Sequence, residues 1–274
     1  MQINGRKIRD RIEGELREKL LHRSVKPTLA IFIVGENPVI EGFVNLKKRF
    51  AHNIGVQVLE QRFPIDVSQD EFNTALDLCV QNSHISGIVV QLPLPSHLDT
   101  EIILNTIPPS KDVDVLSVLG LKNFEQGTSS ILPPVVGAVR EIFRETNVEL
   151  SGKKALVVGR GRLVGMPVSM WLRAQGALVE VVDRSSGNLS EYTRWAEIIV
   201  SGAGVPGLIQ SEMLTPGVAL IDAGSSEDRG RVVGDIAPEC EHIAQFITPV
   251  PGGVGPITVA VLFQNLVRLS EESH

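Results

Sequence analysis

Apolar positions change their period along the chain, and the changes mark out its elements. From about Lys7 to Leu21 they recur at helical spacing among many charges, which predicts a surface-lying amphipathic helix. Thr28 to Val34 is a continuous apolar run of strand length, expected to be buried. After the turn GENP, a helical segment runs from about Val39 to Asn53, ends before Gly55 and leads into a strand near Val56 to Glu60. Ser68 suits the N-cap of a helix reaching about Gln81. Ile88 to Val90 reads as a third buried strand, ending at QLPLP, where prolines forbid its continuation. Strand and helix alternate, the pattern of a parallel sheet covered by helices on both faces.

Between Pro108 and Pro134 the texture changes to PPSKDVD followed by glycine, serine and few regular apolar positions, so an active-site loop and a domain connection are expected there. Val135 to Arg144 reads as a linking helix. The alternation then resumes in ALVVGRGRLVGMPVSMWL, which predicts a strand at Ala155 to Val158, a tight turn, and a helix with Pro167 near its start. Gly159, Gly161 and Gly165 lie in that turn. Backbone N–H groups at a helix N-terminus can hold a phosphate, and glycine lets its oxygens approach without meeting a Cβ. The spacing, G-x-G-x-x-x-G, is one residue longer than the usual dinucleotide fingerprint, and such a turn can also be purely structural. A strand at Leu178 to Val182, a helix around Leu189 to Ala196, and strands at Ile198 to Ser201 and Val218 to Asp222 complete a Rossmann-like half. ITPVPGGVGP precedes a last helix, expected from about Pro256 to Leu269 with proline at its first position.

Composition narrows the class. With 274 residues, 43% of them hydrophobic, the chain can bury full cores and is expected to form two domains. Its start is charged and no apolar run approaches the roughly 18 residues of a membrane span, so a soluble cytoplasmic protein with no membrane partner is expected. Cys79 and Cys240 are too few for a disulfide framework or a metal cluster, and both are expected in the core of a protein without metal. A net charge of −6 without a basic stripe argues against nucleic acid as a partner.

Ligands of a parallel sheet bind at the carboxyl ends of its strands. GENP with its helix, QLPLP, the loop carrying Asp112 and Asp114, and PVPGGVGP should fall at such edges. Lys47 lies one helical turn beyond Phe43, so a proton carrier could stand beside a stacking platform. Alternatively Lys47, Lys48 and Arg49 form a solvated charged face. Gln91, at a strand end, can cap a turn or bind a ligand. Asp183 ends a strand where an acidic residue accepts hydrogen bonds from an NAD ribose, or it simply starts the turn DRSSGN. Arg160 and Arg184 suit the 2′-phosphate of NADP instead.

VGENP, the aromatic-x-x-x-Lys helix, GIVVQLPLP, KDVD, VVGRGRLVGMPV, VVGD and ITPVPGGVGPITVAVL follow one another in the order and spacing of the methylenetetrahydrofolate dehydrogenase/methenyltetrahydrofolate cyclohydrolase family, which the chain resembles over nearly its whole length. The resemblance implies a two-domain α/β enzyme. Residues 1–134 plus 256–274 would form a three-layer catalytic folate-binding domain, 135–255 a Rossmann-like NAD(P)-binding domain, with a cleft between them. It implies oxidation of 5,10-methylenetetrahydrofolate and hydrolysis of the methenyl product to 10-formyltetrahydrofolate, in one-carbon metabolism that feeds purine biosynthesis, by a homodimer. Lys47 would be the catalytic lysine, Gln91 its hydrogen-bonding partner and Asp114 the acceptor for the amino-pyrimidine edge of the pterin. Phe43 stands where the family usually has tyrosine. Pro93, Pro251, Gly252, Gly253 and Thr258 would contact the substrate. Gly159, Arg160, Gly161, Val164, Gly165, Pro167, Asp183, Arg184, Ser185 and Gly202 would hold the cofactor, NADP as in most of the family, with NAD left open by Asp183.

The chain departs from the family in three further places. Leu132, Pro133, Pro134 and Val135 replace P-C-T-P, Val115 replaces a glycine, and Gly161 replaces the serine of the phosphate turn. A dehydrogenase lacking cyclohydrolase activity, or a folate- or nucleotide-binding paralogue without turnover, are the rival readings.

Overall fold

The computed structural model describes residues 1–228 and 231–272. They form two compact units, Asp10–Pro134 with Val259 onward, and Met1–Arg9 with Val135–Thr258.

In the first unit β1 (Thr28–Val34), β2 (Gln57–Phe63) and β3 (Gly87–Val90) pair in parallel in the order β2-β1-β3. The central strand β1 is buried from Leu29 to Val34, as its unbroken apolar run requires. Ala30, Phe32 and Val34 pack with Phe72, Leu76 and Cys79 of α3 (Gln69–Gln81) and with Ile103 and Leu104 of α4 (Thr100–Thr106). Alternate residues face the other side. There Leu29 and Leu266 of α9 (Val254–Glu272) border Gly87, and Phe50 of α2 (Pro38–Ile54) stacks on Phe263 with ring centroids 5.1 Å apart. Helix α1 (Gly5–Leu21) adds Ile12, Leu16 and Leu20 to the buried set.

Ser68 caps α3 as expected, its Oγ accepting the N–H of Glu71 at 3.2 Å. Two helices have no counterpart in the sequence reading. Helix α4 spans seven residues between QLPLP and the prolines Pro108 and Pro109, a stretch that reads as loop, and is marked by its cap, Asp99, which accepts the N–H of Ile102. The segment from Pro108 to Pro134, expected to be irregular, contains α5 (Val118–Glu125), capped by Ser117 through the N–H of Gly120.

In the second unit β4 (Lys154–Val158), β5 (Leu178–Val182), β6 (Ile198–Ser201), β7 (Ala219–Asp222) and β10 (Phe246–Ile247) form a parallel sheet in the order β10-β7-β6-β4-β5. This is a doubly wound order whose direction reverses between β4 and β6. Helices α6 (Pro134–Thr146), α7 (Gly165–Ala174) and α8 (Leu189–Trp195) belong to this half of the chain, and β8 (Ser226–Asp228) pairs antiparallel with β9 (Arg231–Val233). Cys240 lies in its core, and like Cys79 it is buried and unpaired.

The first nine residues, expected with the folate-binding part, belong to this second unit instead. The N–H of Ile3 donates to Ile247 O at 2.9 Å and that of Ile247 to Met1 O at 3.0 Å, so the N-terminus extends the sheet beyond β10. The last helix begins at Val254, two residues before Pro256. Proline is tolerated there because the first four amides of a helix have no acceptor within it. Among the described residues no helix is long and apolar enough to cross a membrane.

The turn between β4 and α7 requires two of its glycines for different reasons. Gly159 has φ 104, and a Cβ on it would stand 2.7 Å from Gly202 O. A Cβ on Gly165 would overlap the carbonyl of Gly159, whereas one on Gly161 would meet no atom within 4 Å. Gly165→Ala should therefore lower stability by at least the about 1–3 kcal/mol typical of overpacking. Gly161→Ala should stay within about 0.5 kcal/mol of the parent. Urea unfolding of the two variants checks the contrast.

Candidate active site

The sequence of α2 places a lysine on the wrong face for water. Ile40, Val44, Lys47, Ala51 and Ile54 follow one another at intervals of three and four, and all five are buried, Lys47 with 9% of its surface exposed. The solvated-face alternative fits only its neighbours: Lys48 is ion-paired with Glu60 at the surface, and Arg49 is exposed. Lys47 Nζ donates to Gln91 Oε1 at 2.7 Å. Gln91 follows β3 directly and is fixed by its own N–H, which donates to Phe32 O of β1 at 2.9 Å. The lysine after β1 and the glutamine after β3 thus meet where the strand order reverses. Burial pushes the Lys47 ammonium below its ordinary range, and the charge of Asp114 opposes that shift.

Asp114 and Asp112 have separate tasks. Asp112, 3% exposed, accepts the N–H groups of Leu116 at 3.2 Å and Ser117 at 2.8 Å, so its carboxylate is spent on the loop. Asp114 is half-buried, and its carboxylate has no hydrogen-bond donor among the described residues. Burial pushes it up to about 6, with Lys47 pulling down and Asp112 pushing up. Phe43, one turn before Lys47, is half-buried, and Pro93 is exposed just after Gln91. The chemistry on offer is a lysine held by a neutral amide and a carboxylate without a donor among the described residues, both shifted toward neutrality.

The candidate cofactor residues gather at the carboxyl ends of β4, β5 and β6. Gly202, after β6, packs against Val164, which precedes α7, and Pro167 is buried in the first turn of that helix. The N–H of Met166 donates to Gly161 O at 3.0 Å, closing the turn. Arg160 Nε donates to Asp183 Oδ2 at 2.7 Å, and its Nη2 to Val181 O at 2.8 Å. The other oxygen of Asp183 accepts the N–H of Ser185 at 2.9 Å and its hydroxyl at 2.6 Å. These Ser185 bonds, then Arg160, hold the carboxyl down near 2. Both carboxylate oxygens of Asp183 therefore already carry protein donors, and Arg184 is exposed without a partner among the described residues.

Pro251, Gly252, Gly253 and Thr258 belong to this second unit, although Thr258 was expected with the first. The N–H of Gly5 donates to Gly252 O at 3.0 Å, and a Cβ on Gly5 would overlap Gly253 O. The Thr258 hydroxyl bonds back to Val254 O within its own helix, at 3.1 Å.

Two buried acids were missed in the sequence. Asp235, fully buried, accepts the Ser201 hydroxyl at 2.7 Å and the N–H groups of Ala203 and Val205 at 2.7 and 2.8 Å. Asp222 accepts from Gly224 and Ile236 at 3.0 and 2.9 Å, and burial pushes it up to about 6. Together they shape the loops after β6 and β7, beside Gly159. Their only sequence signal is an acid closing an apolar strand, in ALID, and one following glycine, in VVGD.

Residues 3–114 match the family described as the tetrahydrofolate dehydrogenase/cyclohydrolase catalytic domain, and residues 133–274 its NAD(P)-binding domain. The bifunctional protein FolD of Acetivibrio thermocellus is 35% identical over 98% of this chain and 96% of its own length. The crystal structure of the bifunctional FolD dehydrogenase/cyclohydrolase from Campylobacter jejuni is 32% identical, with a TM-score of 0.95 over 99% of both chains. The Trypanosoma brucei methylenetetrahydrofolate dehydrogenase-cyclohydrolase, complexed with NADP and an inhibitor, has the same identity of 32% and TM-score of 0.95, covering 100% of this chain and 98% of its own.

Since the Lys47 charge pulls the Asp114 carboxyl down, Lys47→Met should raise the titration of Asp114 above about 6. Carboxyl carbon NMR of the aspartate-labelled protein follows it, with Asp114→Asn identifying the signal.

Proposed function

We propose that this chain, which belongs to the tetrahydrofolate dehydrogenase/cyclohydrolase family, oxidises 5,10-methylenetetrahydrofolate with NADP and hydrolyses the methenyl product to 10-formyltetrahydrofolate. The observation that carries the reading is a buried lysine, depressed in pKa, hydrogen-bonded to an amide and beside a carboxylate free to accept. Asp114, when ionised, suits the donor edge of a pterin, since a carboxylate accepts two charge-assisted hydrogen bonds. Phe43 offers a ring face for stacking without the hydroxyl of a tyrosine.

The turn after β4 fits a dinucleotide phosphate, because Gly159 and Gly165 bring backbone together where no Cβ would fit, at the start of α7. When bound, NADP supplies the hydride acceptor. Arg160 neutralises Asp183 and turns the end of β5 from a ribose acceptor into a site for a 2′-phosphate, with Arg184 alongside. In the hydrolytic half, water adds to the amidinium carbon. Lys47 in its neutral form takes one proton of that water and passes it to N5 as the bond from carbon to N5 breaks. The remaining hydroxyl proton leaves to solvent as the carbonyl forms, so the formyl group stays on N10 and one proton is released overall. Gln91 orients Nζ without supplying a negative charge that would keep the lysine protonated.

The unit holding Lys47 is assigned to the folate and the unit holding the β4 turn to the dinucleotide. The resemblance also supports a homodimer, a cytoplasmic setting and a supply of formyl groups to purine synthesis. Sedimentation of the purified protein tests the dimer.

The decisive assay supplies methylenetetrahydrofolate with NADP or NAD and follows methenyl absorbance. Transient methenyl formation is expected. Its persistence would leave a dehydrogenase without hydrolysis, and neither formation nor consumption would sink the enzyme reading. Lys47→Met should bind the substrate and hydrolyse none of it.

Two further outcomes follow from the charges. Asp114 must be ionised to accept from the pterin, and its raised pKa means this form is lost as pH falls through about 6. The kcat/KM for the folate should then drop about tenfold per unit below that pH, a limb absent in Asp114→Asn. Arg160→Ala should raise the KM for NADP at least about tenfold, as expected for a lost charge-assisted contact, and change that for NAD far less. Initial rates with each nucleotide decide it.

A further inference from the structure

Asp114 sits in a loop held against its own backbone preference. Val115 adopts φ 56, in the left-handed region that β-branched residues avoid, and is buried. Such a conformation persists only where the surroundings over-determine it. After Val115, Asp112 accepts the N–H groups of Leu116 and Ser117. Before Asp114, the anchor is a side chain distant in sequence. Asn265 of α9, 4% exposed, donates from Nδ2 to Val113 O at 2.9 Å and to Leu132 O at 2.7 Å.

We propose that Asn265 is a positioning residue that acts through Asp114, fixing the backbone that aims the carboxylate at the pterin. The inference rests on the assignment of Asp114 above. Its neighbours on α9, Leu262, Phe263, Leu266 and Leu269, are all buried and apolar. A polar amide among them is unfavourable unless its donors are used. Here they are used on two carbonyls outside the helix. No backbone hydrogen bond joins the segments of Val113 and Leu132 among the described residues, so the amide is the hydrogen-bonded tie between them. Removing it frees the peptide immediately before Asp114 while the strain at Val115 stays in place.

The test is a double-mutant cycle on the full-length protein. Asn265→Leu, which keeps the branch at Cγ but has no donors, should raise the KM for methylenetetrahydrofolate at least about tenfold, the loss expected when buried hydrogen-bond acceptors go unpaired. NADPH affinity, read by its fluorescence, should change less than about twofold, since the turn that binds it is in the other unit. In an Asp114→Asn background the same change should add less than about twofold, because the two residues then act as one. A KM within twofold of the parent, or a penalty that multiplies undiminished in that background, overturns the proposal and leaves the amide a structural tie. Should Asn265→Leu not fold, Asn265→Ser, which retains one donor, is read in the same cycle. If the parent protein neither turns over nor binds the folate, the functional assignment fails on its own. The carboxyl NMR titration of Asp114 then decides: a shift in Asn265→Ser supports the positioning role, and an unchanged titration overturns it.

Discussion

A lysine ammonium removed from water is the constraint on which the first unit depends. Burying an isolated charge is so unfavourable that the group gives up its proton or finds a partner. Lys47 does some of each. It stands on the apolar stripe of α2, its ammonium donates to the Gln91 amide at 2.7 Å, and its pKa is depressed by burial while Asp114 resists. The partners matter by kind. A carboxylate in the place of Gln91 would hold the lysine protonated, whereas a neutral amide orients Nζ in either protonation state. Asp114 responds in the opposite sense, raised to about 6 by burial, so the two groups are shifted toward each other.

Both sheets bring candidate site residues to the point where the strand order turns back. In the order β2-β1-β3 the reversal lies between β1 and β3, the strands that lead to Lys47 and to Gln91. In β10-β7-β6-β4-β5 it lies between β4 and β6, which lead to Gly159 and Gly202. The physical reason is shared: connections leaving a reversal point go to opposite faces and open a crevice between the strand ends. What fills the two crevices differs. One brings polar side chains together, and the other brings backbones so close that only glycine fits. Buried acids then stabilise the second arrangement, with Asp235 gathering the N–H groups after β6.

The elements that were legible in the sequence are those whose period or cap is carried by many residues. The β1 run, the Ser68 cap and the strand-turn-helix around Gly159 all lie close to where the pattern put them. Helices α4 and α5 were not legible, although α8 is as short as α4, because both lie in the proline- and glycine-bearing stretch between QLPLP and Pro134 that reads as loop. Lys47 was ambiguous among three adjacent cations, yet its phase was readable: it alone falls on the stripe of Ile40, Val44, Ala51 and Ile54. Asp183 and Arg160 were read as competing signals for the cofactor, and the structure joins them in one ion pair.

The sequence by itself determined the two α/β halves and the glycine turn after β4, because those follow from local periodicity and from motifs whose members are neighbours in the chain, and its resemblance to the family supplied the candidate folate residues. Only the tertiary structure decided which carboxylate is spent and which is free. Asp112 and Asp114 are two residues apart and alike on paper, but one faces the amides of its own loop and the other shares the field of Lys47. It also decided that the N-terminal residues join the second sheet and that Asn265 reaches the Asp114 loop. Those pairings join residues more than a hundred positions apart, and no local pattern encodes which distant backbone group a buried polar side chain will meet.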